Sequence, residues 1–174
     1  IGFGTATDPY QPIEGSYKLS RGVLEALVDA ATPVGIVTKG PMIVRDVDVL
    51  QDLSKRTSCR VHISVPTEDE EAWEQLEPGV AHPMQRLRAV RTLVDAGIDC
   101  GVLMAPMVPG FSTHPAKIER TIKAIYKAAG WDLADERFLQ AQGLMACFPL
   151  SLADGLADDL KAAVLRFVKK PAVA

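Results

Sequence analysis

Apolar runs and amphipathic stretches alternate along this chain, with a repeat of roughly 25–35 residues that matches the size of βαβ units. The apolar runs that predict strands begin at Ile1, Pro33, Cys59 and Asp99. Each run is continuous rather than alternating, which is typical of strands in a parallel sheet that helices cover. The order strand, helix, strand, helix therefore predicts an α/β protein.

The stretches between the first strands carry apolar residues at helical spacing. Residues 19–28 are predicted as a helix with Ser20 as the N-cap. The next helix turns Ile43, Leu50 and Leu53 inward and Asp46 towards solvent.

Later helices are predicted from their start signals. Thr67 opens a capping box, and His82 precedes a long amphipathic helix with Met84 on its buried face. His114 likewise precedes a proline at the start of a helix, and both histidines are expected to cap their helices. A last strand is predicted within 138–147, and a terminal helix follows it.

Two architectures fit this order, a full or partial TIM-type barrel and an open doubly wound sheet. No GxGxxG pattern follows the first strand, and each clear strand ends in a different polar or proline-marked segment. This favours a single α/β domain, 1–174, built as a partial (β/α) TIM-type barrel with parallel strands and a site at its rim.

Polar side chains at the strand ends would converge on that rim if the strands are parallel: Thr7, Asp8, Thr38, Lys39 and Ser64. Lys39 could meet a carboxylate or phosphate of a ligand, or pair with Asp8 or Glu14. Glu77 and Arg86 flank a turn, where solvated surface charge is the expectation.

Composition narrows the function classes. The chain has 174 residues, 48% hydrophobic, with a net charge of −3, which disfavours tight nucleic-acid binding. No apolar run could span a bilayer, so no membrane partner and a cytoplasmic location are expected. Cys59, Cys100 and Cys147 lack metal-ligand spacing, and the first two are expected to fill the core. Because the first residue is Ile rather than Met, we expect a start inside a longer protein.

Several segments together resemble radical S-adenosylmethionine (SAM) proteins of the spore-photoproduct-lyase-like group. They are residues 4–12, 38–41, 62–65, 76–79 and 101–110, which keep the order and spacing of that group over 1–112. The resemblance implies a partial (β/α)6 barrel, truncated at its N-terminus, that holds SAM across its rim.

The resemblance also implies the residues that contact SAM. Thr7 and Asp8 would lie by the methionine moiety, and Lys39 and Ser64 would contact its carboxylate or the ribose. Arg86 would assist, and the adenine would lie along three consecutive residues, Met107, Val108 and Pro109.

By the same resemblance, the whole protein is expected to be a radical SAM enzyme. A [4Fe–4S] cluster would reduce SAM, and the resulting 5′-deoxyadenosyl radical would abstract hydrogen from a substrate that the sequence does not identify. The CxxxCxxC cluster ligands are expected upstream of this chain. DNA is a possible substrate by analogy only.

Two other functions remain open from the residues alone. One is a cluster-free TIM-barrel enzyme in which Lys39 forms a Schiff base. The other is a non-catalytic binding barrel.

Overall fold

A computed structural model of the chain describes residues 1–131 and 144–146. Its strands form one parallel sheet in which each strand lies beside the next along the chain. The strands of this sheet are β1 (Gly2–Phe3), β2 (Val34–Thr38), β3 (Cys59–Ser64), β4 (Asp99–Met104) and β5 (Leu144–Ala146).

Helices connect the strands and cover the sheet. They are α1 (Glu14–Tyr17), α2 (Leu19–Asp29), a 3₁₀ helix (Pro41–Asp46), α3 (Val47–Arg56), α4 (Glu70–Leu76), α5 (Pro83–Asp95) and α6 (Pro115–Ala129). The predicted last strand contains β5. The remainder of that prediction, Cys147 and the predicted terminal helix lie outside the described residues.

The strand order β1-β2-β3-β4-β5 has no reversal. A doubly wound sheet reverses its order at a switch point, whereas a (β/α) barrel adds each strand beside the last. The described strands therefore follow the barrel order. The α/β class and the parallel strands are confirmed, and closure of the barrel stays a prediction.

The core lies between the sheet and the helices. Ile36, Val61 and Val102 of the central strands are fully buried. The helices cover them with apolar stripes at the predicted spacing: Ile43, Leu50, Leu53, Leu87, Val90, Leu93, Ile118, Ile122 and Ile125. Burying one such side chain contributes about 1.5–3 kcal/mol, so these stripes fix the helices on the sheet.

Asp46 is buried, contrary to the prediction that it faces solvent. Its side chain is 0% exposed and accepts hydrogen bonds from Arg45 Nε and Nη2, both at 2.8 Å. The segment Pro41–Asp46 winds as a 3₁₀ helix, which has three residues per turn and places side chains differently from the α-helix assumed in the prediction.

Two predicted helix caps are also corrected. Ser20 lies inside α2, where its hydroxyl donates to the Pro9 carbonyl, and the N-cap is Lys18 at φ 53°. The N-cap of α4 is Asp69, whose carboxylate accepts from Ala72 N at 3.1 Å, while Thr67 Oγ1 accepts from Asp69 N.

The start of α5 agrees with the sequence in its cap but not in its first apolar residue. His82 Nδ1 accepts from Met84 N at 3.1 Å, as predicted for a capping histidine. Met84 itself is 46% exposed, so its predicted burial is wrong. His114 caps α6 in the same way. Among the described residues, no helix is both long and apolar enough to cross a membrane.

Candidate functional site

The loop after β1 crosses the carboxyl end of β2, and two glycines allow the close approach. Gly4 has φ +92°, and a Cβ there would overlap the Val37 carbonyl oxygen. A Cβ on Gly40 would lie 2.6 Å from the Tyr10 carbonyl oxygen. Because only glycine fits both positions, the sequence places residues 4–10 over the sheet end.

Asp8 fastens this loop to the sheet. Its carboxylate accepts hydrogen bonds from Tyr10 N at 2.8 Å, Thr38 Oγ1 at 2.5 Å and Lys39 N at 2.7 Å. Thr38 Oγ1 in turn accepts from Gly40 N at 2.8 Å. The negative charge of Asp8 is therefore held at the carboxyl end of β2.

Lys39 pairs with neither of the partners considered from the sequence. Its Nζ lies 2.6 Å from Glu77 Oε1, and Arg86 Nη2 lies 2.6 Å from Glu77 Oε2. The side chains of Glu77 and Arg86 are 7% and 0% exposed, so the expectation of solvated surface charges at both positions is wrong. Among the described residues, no donor is aligned for a hydrogen bond to Glu77 Oε1.

Arg86 ties this carboxylate to the end of β3. It donates to the Ser64 carbonyl at 3.0 Å and to the Ala81 carbonyl at 2.7 Å, in addition to Glu77. The Ser64 hydroxyl donates to the Ala105 carbonyl at 2.8 Å, which joins the end of β3 to the segment after β4. A buried guanidinium thus holds three chain segments around the sheet end.

A cavity of about 660 Å³ opens at the carboxyl ends of β1 to β4. Its lining mixes charged, hydroxyl and apolar groups: Gly4, Thr5, Ala6, Thr7, Asp8, Val37, Thr38, Lys39, Ser64, Leu103, Ala105 and Pro106. Parallel sheets bind ligands at this edge. We call it the larger cavity, to distinguish it from a second cavity of about 370 Å³ described below.

The structure brings together half of the residues predicted to contact a ligand. Thr7, Asp8, Lys39 and Ser64 line the larger cavity, and Arg86 stands behind Lys39. The predicted adenine segment is placed less directly. Met107 is 1% exposed within the core, Val108 and Pro109 are half-buried, and the lining comes from the preceding Ala105 and Pro106.

A smaller cavity of about 370 Å³ lies on the other side of Lys39. It shares Asp8 and Lys39 with the larger cavity, and Tyr10, Met42 and Val80 give it an apolar wall. Lys39 therefore lines both cavities.

A buried polar cluster under the loop was missed from the sequence. Tyr10 Oη donates to Asp46 Oδ2 at 3.2 Å, and Arg45 and Arg21 also contact that carboxylate. Burial, together with the Asp46 charge, raises the pKa of Tyr10 far above its usual value. The phenol thus stays protonated and serves as a donor. Partners 36 residues apart leave no local pattern that would have identified the cluster.

The two described cysteines do not fit an iron–sulfur cluster. Cys59 and Cys100 are buried, and burial raises the pKa of their thiols to about 11 and about 12. Their predicted packing role is confirmed. Cys59 begins β3, so at about 3.3 Å per residue it lies about 16 Å from Ser64 at the cavity. The described residues include no cluster of three His, Cys, Asp or Glu side chains that could hold a metal ion.

Curated relatives match up to about three quarters of the chain. An uncharacterised protein of Mycobacterium tuberculosis is 32% identical over 128 residues, which are 74% of this chain and 38% of the relative. The radical SAM Nalpha-GlyT isomerase of Pseudomonas phage M6 is 26% identical over 112 residues, or 64% of this chain and 23% of that protein. The chain therefore spans less than half the length of these relatives.

Solved structures of spore photoproduct lyase, a radical SAM enzyme, have the same fold. One mutant aligns with a TM-score of 0.63 and 16% identity, over 96% of this chain and 56% of that one. A second mutant, with bound AdoMet and dinucleoside spore photoproduct, aligns with a TM-score of 0.56 and 16% identity, over 98% and 46%. The fold and the cavity thus define a protein built on a parallel α/β sheet similar to the radical SAM partial barrel. The resemblance seen in the sequence is confirmed at the level of the fold.

A family model described as TraC protein matches residues 112–152. That segment contains α6 and β5, and its described residues do not line the larger cavity.

Proposed function

We propose that this chain is the SAM-binding part of a radical SAM enzyme core. One observation carries the proposal. The larger cavity places Asp8, Lys39 and Ser64 at the carboxyl ends of three neighbouring parallel strands or their loops, in a fold shared with a lyase solved with bound AdoMet.

The lining fits the chemistry of SAM. The ligand combines a carboxylate, an ammonium and a sulfonium with a flat, largely apolar adenine. The cavity offers the ammonium of Lys39, the carboxylate of Asp8, the hydroxyl of Thr7 and apolar surface from Val37 and Leu103. A few placed polar groups in a mainly apolar pocket are typical of cofactor sites.

Each predicted contact residue keeps a role in the proposal. Lys39 donates to the ligand carboxylate, and Thr7, Asp8 and Ser64 orient the methionine and ribose portions. The adenine lies along the segment after β4. Ala105 and Pro106 of that segment line the cavity, and Met107, Val108 and Pro109 flank the adenine from behind them. Arg86 acts indirectly, because its hydrogen bonds to Ser64 and Glu77 hold the cavity wall and the partner of Lys39.

A [4Fe–4S] cluster, when bound to the whole protein, supplies the electron that cleaves SAM and starts hydrogen abstraction. The thiols of Cys59 and Cys100 are protonated and buried away from the cavity, so we assign them no part in holding it. We place the cluster ligands in the part of the whole protein that precedes this chain, and we propose no substrate.

The arrangement of Lys39 does not favour the Schiff-base alternative. A Schiff-base lysine must reach its neutral amine form. Lys39 Nζ instead lies 2.6 Å from Glu77 Oε1 in an ion pair, so a substrate carbonyl would have to displace that carboxylate. An ammonium suits a ligand carboxylate better than a carbonyl carbon.

SAM titration of the full-length protein tests the proposal. We expect Lys39→Met to weaken SAM binding by about 1–3 kcal/mol, the range for a charge-assisted hydrogen bond. Thermal unfolding should change little, because the Lys39 side chain is 34% exposed and Glu77 keeps Arg86. Lys55→Met is the matched control, since Lys55 is a surface lysine paired with Asp52. Equal SAM affinity in wild type and Lys39→Met would refute the assignment.

A further inference from the structure

The charged groups around Lys39 form an alternating row. Asp8 accepts from the Lys39 backbone, the Lys39 ammonium faces Glu77, and Glu77 faces Arg86. Two carboxylates and two cations give a formal sum of zero. Among the described residues, Asp8 and Lys39 are the charged residues that line either cavity.

Glu77 decides this sum, because it stands between the two cations. Its side chain is only 7% exposed, and each of its two carboxylate oxygens lies 2.6 Å from a cation. Without that carboxylate, Lys39 and Arg86 would leave an excess of one positive charge behind the cavity wall. Sites for phosphate groups are built with such an excess.

We propose that Glu77 sets the charge selectivity of the larger cavity. The cavity accepts an adenosyl ligand that carries a zwitterionic amino acid and a sulfonium, and it rejects adenosine phosphates. This deepens the proposed function, since it names the charge that the site requires of its adenosyl ligand.

The direction of the effect follows from the charges of the two ligands. SAM carries one anionic and two cationic groups, so an added positive charge attracts its carboxylate and repels its cations. Adenosine 5′-monophosphate (AMP) carries only negative charge on its phosphate. Neutralising Glu77 should therefore raise the affinity for AMP. The affinity for SAM should change little, because the attraction of its carboxylate and the repulsion of its cations nearly cancel.

Equilibrium dialysis of the full-length protein with SAM and with AMP tests the inference. Wild type should bind SAM and bind AMP much more weakly. In Glu77→Gln we expect AMP affinity to rise about tenfold, a screened one-charge effect, while SAM affinity changes by less than about threefold. Asp69→Asn is the matched control. It removes a carboxylate of similarly low exposure that pairs with Lys117 and Arg120 away from the cavity, and it should leave the ratio of the two affinities unchanged.

A second variant separates charge from structural damage. Glu77→Gln leaves the guanidinium of Arg86 buried without a counter-charge and lowers stability for that reason. In an Arg86→Gln background Glu77 still pairs with Lys39, and the same change leaves no buried guanidinium without a counter-charge. Adding Glu77→Gln to Arg86→Gln should again raise AMP affinity relative to SAM, and the double variant, whose charges sum to zero, should return to the wild-type preference.

The outcomes distinguish the inference from the function it refines. The charge selectivity would be overturned if Glu77→Gln lost affinity for SAM and AMP in parallel. It would also be overturned if the wild type bound AMP as tightly as it binds SAM. A wild type that binds no SAM, with AMP affinity still rising in Glu77→Gln, would sink the proposed function and leave the charge control standing.

Discussion

At the scale of single residues, the site depends on a buried ion pair. Arg86 is fully buried and reaches Ser64, Ala81 and Glu77 with its three nitrogens. Replacing Arg86 is costly because the buried Glu77 keeps only Lys39, and the Ser64 and Ala81 carbonyls lose the donor that Arg86 supplied. The Glu77–Arg86 pair therefore matters for folding, while Lys39, whose side chain is 34% exposed, is available to a ligand.

Arg86→Met should lower the free energy of unfolding by about 3–5 kcal/mol, the range for breaking a buried pair. The control is Arg60→Met, which breaks the surface pair with Asp99, whose members are 52% and 43% exposed. That change should cost less than about 1 kcal/mol. Urea unfolding measures both, and equal losses would show that burial does not strengthen the Glu77–Arg86 contact.

At the scale of elements, the short β1 and the loop after it form one wall of the larger cavity. The β1 strand has only two residues, Gly2 and Phe3, so the loop after it needs other contacts to hold it on the sheet. Asp8 holds the loop through its hydrogen bonds to Thr38 and Lys39, and Tyr10 holds it through its hydrogen bond to Asp46. Gly4 makes the path possible, because its φ is positive and it passes against Val37.

Gly4→Ala should destabilise the protein by at least about 1–3 kcal/mol, since the new Cβ adds strain at positive φ and overlaps backbone. Gly22→Ala is a control of opposite sign. Gly22 lies inside α2 with nothing within 4 Å of an added Cβ, so alanine should stabilise by about 0.5–1 kcal/mol. Thermal unfolding distinguishes them, and a Gly4→Ala protein as stable as wild type would refute the account of the loop.

At the scale of the whole molecule, the parallel sheet separates two kinds of chemistry. The polar groups of the cavity lie at the carboxyl ends of the strands, and the two described cysteines lie near the amino ends. The length of a strand thus keeps the buried thiols away from any ligand in the cavity.

From this separation we expect Cys59 and Cys100 to be dispensable for cofactor chemistry. The full-length protein, reduced with dithionite without oxygen, should convert SAM to 5′-deoxyadenosine at nearly the same rate after Cys59→Ala or Cys100→Ala. Alanine at any cysteine of the proposed upstream CxxxCxxC triplet should abolish the product. This chain alone, after reconstitution with iron and sulfide and desalting, should retain no stoichiometric cluster. Product that survives loss of the triplet, or a cluster held by this chain, would contradict the proposal.

The sequence alone determined the α/β class, the parallel strands and the main helices. Continuous apolar strands and stripes such as Leu87, Val90 and Leu93 are local patterns, and burial enforces them whatever their partners. It also placed Thr7, Asp8, Lys39 and Ser64 at one edge, because strand direction fixes where each strand ends.

Only the tertiary structure decided which charges are buried and paired. The sequence predicts Asp46, Glu77 and Arg86 as surface residues, because a charged side chain on the polar face of a helix or near a turn is usually solvated. Their burial depends on partners supplied by distant segments, as when Lys39 from the end of β2 reaches Glu77 after α4. No local pattern encodes such a meeting, since the charge is tolerated only once the fold has brought its counter-charge within hydrogen-bonding distance.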